Sequence, residues 1–364
     1  MENEYVCLVG VTALLVGICP DKVFEVSLEM TSNNKQRILG YDALKAFAAF
    51  LVVLYHVGLV DFGYQEGVYY YPTLAQEIWL VCACGVPLFF MVNGALTVHR
   101  KYDLKKTATK SARLVFVGIF WAIVVMCLYA LRDHNMSSFS LPRIGYYWFL
   151  FSLAFIYLIN YLICRLPYWC RWVIVLVLLV FPFATNLAWD IVILKSPETT
   201  LTSWRHGAFT LYGLVYLYVG DYLGNVKKIG KWIPAVCAII GLALLTIETI
   251  AVVNHTHMQF EGGNYCFPTY GALLLSIAIF LMVKDLKTTN TSFAKFMTFL
   301  GNNALGIYIF HLILMIIVGA CFPSLYDMVI HPVLAVLMAI GYTIASAFLS
   351  EWIRCSHVSF LLKL

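Results

Sequence analysis

Three polar residues interrupt an otherwise apolar run: Asp42, Lys45 and His56 in Tyr41-Asp42-Ala-Leu-Lys45-Ala-Phe-Ala-Ala-Phe-Leu-Val-Val-Leu-Tyr55-His56. Eleven steps of about 100° bring Lys45 and His56 to within about 20° of each other around a helix axis, roughly 16 Å apart along it. Asp42, three residues before Lys45, falls on the same stripe. Ala49, Val52 and Val53 lie between them. A histidine in such a stripe can serve as general base or nucleophile at neutral pH. The stripe is either a polar seam lining a cavity between helices or, more plainly, a lysine that snorkels to the interface and a histidine that bonds a neighbouring helix.

A second ionisable residue follows the same logic in Leu300-Gly301-Asn302-Asn303-Ala-Leu-Gly306-Ile-Tyr308-Ile-Phe-His311. Gly301 and the two asparagines mark a helix start, where free backbone N–H groups can meet an anion or a carbonyl. His311 is expected about 12 Å deeper, and facing His56 it would gain in meaning. Arg100, Lys101, Lys105, Lys106, Lys110 and Arg113 crowd into fourteen residues. This is either a cytoplasmic retention signal or a set of forks and point charges for a polyphosphate ligand. Trp148, after Tyr146 and Tyr147, reads as part of an aromatic belt or as a sugar-stacking platform. His99, His134, His206, His255, His257 and His331 fall in or beside loops, and the eleven cysteines include no CxxC pair, so neither a metal nor a disulfide framework is expected. A GxSxG elbow, a P-loop and a dinucleotide-binding glycine pattern are all absent.

The elements that must position these residues are membrane helices. The chain has 364 residues, of which 62% are hydrophobic and 12% charged, with a mean hydropathy of +0.84, far from a soluble domain. The net charge of +5 is too small and too scattered for a nucleic-acid binder. Apolar runs long enough to cross a bilayer predict an all-α polytopic protein with spans at 41–62, 74–97, 112–131, 144–164, 172–189, 207–224, 232–253, 267–283, 302–322 and 332–352. With the segment before the first span inside, the cytoplasmic connectors hold 18 Lys and Arg against four outside, Arg132, Arg143, Lys195 and Arg205. The expectation is therefore ten spans with both termini cytoplasmic. Residues 1–30 read as an extension or interfacial segment, 31–353 as the membrane domain and 354–364 as a short cytoplasmic tail.

In order along the chain, Asp42-Ala-Leu-Lys45-Ala with His56, the block Gly85-Val-Pro-Leu-Phe-Phe-Met-Val-Asn93-Gly94, the basic stretch to Arg113, Trp148-Phe-Leu and Leu300-Gly-Asn-Asn-Ala-Leu-Gly-Ile-Tyr308-Ile-Phe-His311 resemble the integral-membrane acyltransferase-3 family over residues 31–352. Lys45 stands where the family more often has Arg, Asn93 where it has Ser, and the basic stretch lacks an Arg-x-x-Arg. The resemblance implies transfer of an acetyl group from cytoplasmic acetyl-CoA to a hydroxyl of a surface polysaccharide or lipid-linked glycan, in a multi-pass protein of the cell (inner or plasma) membrane. It implies catalytic roles for His56, His311, Lys45 and Asp42, and coenzyme phosphates near Arg37, Lys45, Arg100 and Arg113. Asn93 or Tyr308 would polarise the thioester carbonyl, and Trp148 and Tyr308 would meet the acceptor. The rival readings are a succinyl donor in the same family and a transporter of a glycan or small acid, which would be expected to carry inverted repeats not visible here.

Overall fold

The computed structural model describes residues 38–57, 64–65, 68–69, 80–98, 103–133, 145–167, 169–180, 183, 211–226, 229–230, 232–256, 269–322, 332–356 and 359–362. Eleven helices carry the fold over these residues: α1 Leu39–His56, α2 Gly85–Thr97, α3 Leu104–Arg132, α4 Trp148–Ile163, α5 Trp169–Val180, α6 Tyr212–Asn225, α7 Trp232–Thr256, α8 Tyr270–Val283, α9 Thr291–Asn302, α10 Ala304–Cys321 and α11 Pro332–Cys355. Among the described residues, two strands of two residues each form an antiparallel pair in which Tyr64 faces Tyr69 and Gln65 faces Val68.

Among the described residues, six segments are long and apolar enough to cross a membrane: Leu39–His56, Leu80–Thr97, Leu104–Arg132, Gly145–Ile163, Ala304–Cys321 and Pro332–Cys355. They coincide with six of the ten expected spans. Helices also occupy the other four windows, as α5, α6, α7 and α8, of which α5, α7 and α8 carry shorter apolar stretches. The outward faces fit a lipid solvent. Val115, Phe116, Ile119 and Ile123 of α3 and Ile239, Ile240, Leu244 and Ile247 of α7 are exposed, a surface that water would penalise and acyl chains do not.

Helix ends follow local chemistry. Asp103 caps α3 by accepting from the Lys105 N–H at 3.1 Å, so the helix starts in the lysine-rich turn, eight residues before the apolar run expected at 112. Asn290 caps α9 by accepting from the Phe293 N–H at 2.9 Å. Helix α9 was not expected from the sequence. It is amphipathic, with Phe293 and Phe296 outward and Leu300 and Gly301 buried, and too short and polar to register as a span.

Helix α1 is the hub. It packs on α2, α8, α9, α10 and α11, and Leu44, Ala48, Ala49 and Val53 are wholly buried. Its alanines allow that many backbones to approach. The close packing of α2 on α6 depends on two glycines in reciprocal positions. A Cβ on Gly94 would overlap the Leu217 carbonyl, and one on Gly220 would overlap the Met91 backbone.

Candidate functional site

At the C-terminal end of α1 the ring of His56 meets that of His311 on α10, with centroids 5.2 Å apart and planes inclined by 35°. His56 is exposed, whereas His311 is 1% exposed. Tyr55 stands edge-on to His56 at 5.0 Å. Behind, His311 Nδ1 lies 3.0 Å from the carbonyl oxygen of Ile307. A carbonyl only accepts, so Nδ1 carries the proton in this contact and the neutral ring keeps its lone pair on Nε2. That Nε2 is buried and has no hydrogen-bond partner among the described residues. The two rings touch without a hydrogen bond between them, and an imidazole is a group that can accept a proton from a hydroxyl at neutral pH.

The aromatic wall around the pair comes from the start of α4. Tyr308 donates its hydroxyl to the Tyr146 carbonyl at 3.2 Å, and Tyr147 donates to the Ile309 carbonyl at 3.0 Å. The Tyr308 ring lies 6.1 Å from that of His311 and 5.4 Å from Phe149. Trp148, partly exposed, follows directly. These ties fix α4 to α10 beside the histidines and place Tyr308 and Trp148 in the same neighbourhood.

The opposite end of α1 is ionic. Asp42, 3% exposed, lies 2.8 Å from Lys45 Nζ, whose side chain is 25% exposed. A carboxylate in the first turn also suits the positive end of the helix dipole. Between this pair and His56 the stripe is packed rather than open: Ala49 and Val53 are fully buried and Val52 nearly so. Gly301, at the end of α9, sits directly on the Asp42 backbone.

Asn93 belongs to this second end. Helices α1 and α2 are antiparallel, because Gly85 packs near Val52 while Gly224 touches both Ala95 and Tyr41. That puts Asn93 level with Asp42, roughly 20 Å of helix rise from His56. Both of its amide atoms are engaged: Nδ2 donates to the Phe89 carbonyl at 2.8 Å, and Oδ1 accepts from the Tyr157 hydroxyl at 2.7 Å. Lys110 Nζ in turn donates to the Tyr157 oxygen at 3.1 Å and lies over its ring. Of the two residues expected near a thioester carbonyl, only Tyr308 shares the surroundings of the histidine pair. Arg113, one turn beyond Lys110, is exposed. Arg37 and Arg100 lie outside the described residues.

The acyltransferase-3 family model, described as an acyltransferase domain, matches residues 38–352. The chain belongs to the acyltransferase-3 family. No curated protein and no solved structure matches it. As an acyltransferase of a membrane-embedded type, it carries a polar group at each end of one central helix, His56 with His311 at one and Asp42 with Lys45 at the other.

Sequence reasoning missed a buried polar cluster on α11. Glu351 and Ser350, 5% and 1% exposed, engage Asn303 at the start of α10. The only signal is a serine and a glutamate at the end of the apolar run of the last expected span. Among the described residues no group of three or more His, Cys, Asp or Glu could hold a metal ion.

Proposed function

We propose that this acyltransferase moves an acetyl group from cytoplasmic acetyl-CoA to a hydroxyl of an extracytoplasmic carbohydrate, with the transfer point at His56 and His311. The observation that carries the reading is the 5.2 Å ring juxtaposition of an exposed His56 and a sealed His311 whose Nε2 is free to accept a proton. The coenzyme phosphates meet Arg37, Lys45, Arg100 and Arg113, with Asp42 balancing the Lys45 charge, and the acyl end reaches the histidines roughly 16 Å further along α1. Available cations suit a polyanion: Lys45 is partly exposed and Arg113 exposed, and Lys110 Nζ donates to the Tyr157 hydroxyl. The plasma or inner membrane is the proposed location, with residues 31–353 forming the catalytic domain.

In the reaction the acceptor hydroxyl oxygen bonds to the thioester carbon, and its proton passes to the histidine pair. The C–S bond then breaks, and the departing thiolate takes that proton to leave as the free thiol. Tyr308, its hydroxyl committed to Tyr146, holds the aromatic wall, and Trp148 offers a face on which a sugar can stack.

The test is acetyl transfer from labelled acetyl-CoA by the purified, membrane-reconstituted chain, with mass spectrometry of surface glycans from cells with and without the protein. Labelled acetyl on a glycan hydroxyl is the expected result. A correctly inserted His56→Ala variant that transfers at the original rate overturns it.

A further inference from the structure

Two helices carry the histidine pair, and apolar packing alone fixes neither the height nor the rotation of one against the other. A ring contact depends on both, because one residue of slip turns a helix by about 100°. Beside the tyrosine ties to the start of α4, a buried polar contact with α11 holds α10 in place. Asn303, at the junction of α9 and α10, donates from Nδ2 to Glu351 Oε2 at 2.9 Å and accepts at Oδ1 from the Ser350 hydroxyl at 2.7 Å. Its Nδ2 also donates to the Phe299 carbonyl at 3.0 Å. Asn303 and Ser350 are 1% exposed and Glu351 5%. Arg354 Nη1, 3.2 Å from the same Glu351 oxygen, balances its charge. Gly306, one turn on, presses so closely on Ser350 that a Cβ there would overlap its hydroxyl. Burying these groups is expensive unless every one is matched. Each alternative register of α10 on α11 would break at least two of the matches.

The same junction grips α1. Gly301 rests on the Asp42 backbone, so the layer that locks α10 to α11 also sets α10 against the helix that ends in His56. We propose that Asn303, Ser350 and Glu351 are positioning residues, a hydrogen-bonded clamp that fixes the register of α10 and thereby the His311 ring against His56. They touch neither donor nor acceptor. The assignment of what they position rests on the proposed transfer site; the clamp itself is a statement about register, the use for which buried polar groups are best attested.

The test compares Glu351→Ala with Glu351→Gln in the full chain, with acetyl-CoA as donor probe. Glu351→Ala is expected to lower kcat at least tenfold and leave the KM for acetyl-CoA within twofold. Glu351→Gln, whose amide oxygen still accepts from Asn303, is expected to recover kcat to within threefold. Unchanged kcat in Glu351→Ala, an equal loss in Glu351→Gln, or a loss that follows only the folded fraction on size exclusion overturns the clamp. If Glu351→Ala does not fold, Ser350→Ala carries the same test with an expected threefold fall. A second readout needs no activity. In a His56→Cys, His311→Cys chain, a short thiol cross-linker should join the two positions, and mass spectrometry of the linked peptides should show at least a fivefold lower yield when Glu351→Ala is added; an unchanged yield overturns the proposal. If the unsubstituted chain transfers no acetyl group, the proposed function fails while the cross-linking arm still judges the clamp.

Discussion

His56 and His311 hold their rings 5.2 Å apart, one exposed and the other sealed. The asymmetry matters more than the distance. The Ile307 carbonyl accepts the hydrogen bond of His311 Nδ1–H, and the wall formed by Tyr308 with Tyr146 and Tyr147 with Ile309 flanks that ring. His56 has Tyr55 and His311 as ring neighbours among the described residues, and it is the more accessible member of the pair.

Replacing His56 should therefore cost chemistry rather than fold. His56→Ala is expected to lower kcat by about 10²–10⁴-fold, the range for a positioned base. The melting temperature in detergent should stay near that of the unsubstituted protein, because an exposed ring contributes little burial. A stopped acetyl-transfer assay alongside a thermal melt checks both. A large drop in melting temperature with activity preserved per folded molecule would remove His56 from the mechanism.

Lys45 offers a test of the ionic end. It stands 2.8 Å from the buried Asp42, and a guanidinium there could serve both the carboxylate and a phosphate through its fork. Lys45→Arg is expected to hold or lower the KM for acetyl-CoA, and Lys45→Met to raise it severalfold with a smaller change in kcat. Initial-rate measurements over donor concentration separate the two. An effect of Lys45→Met on kcat alone would place the lysine outside donor binding.

The helical periodicity of residues 41–56 was enough to put Asp42, Lys45 and His56 on one stripe, and the apolar runs were enough to find the six long spans. Both signals are local. What could not be read was how neighbours close on that stripe: Ala49, Val52 and Val53 look like an open strip in one dimension and are buried in three. Asn93 shows the same limit, since its distance from His56 depends on α1 and α2 being antiparallel and on where Gly85 meets Val52. Helix α9 escaped because a short amphipathic segment between spans resembles a loop in hydropathy. Glu351 escaped because its partners, Asn303 and Ser350, belong to an interhelical contact with no periodic trace.

The Lys110, Tyr157 and Asn93 chain predicts a structural effect where the family resemblance implied a chemical one. Asn93→Ala removes the acceptor of the Tyr157 hydroxyl at 2.7 Å and should cost about 1 kcal/mol of stability. Acetyl-transfer kcat per folded molecule should change less than threefold, because the amide lies at the far end of the helix pair from the histidines. Asn93→Ser, which keeps a hydroxyl at that position, should recover part of the stability. Rates normalised to folded protein decide the matter, and a hundredfold loss in kcat would return Asn93 to the reacting centre.

Helix approach gives the sharpest contrast between glycines. At Gly94 an added methyl would be driven into the Leu217 carbonyl, and at Gly220 into the Met91 backbone, whereas at Gly341 on α11 it would meet nothing within 4 Å. Backbone cannot move aside as a flexible side chain can, so Gly94→Ala and Gly220→Ala should each destabilise by about 1–3 kcal/mol. Gly341→Ala should be neutral or slightly stabilising, since Ala is the better helix former. Because both constrained glycines serve the same α2–α6 contact, their double substitution should be less than additive, as the first methyl has already forced the helices apart. Chemical or thermal unfolding of the three single variants and the double measures this. Full additivity would mean that the two contacts yield independently, and that α2 and α6 do not respond as one rigid pair.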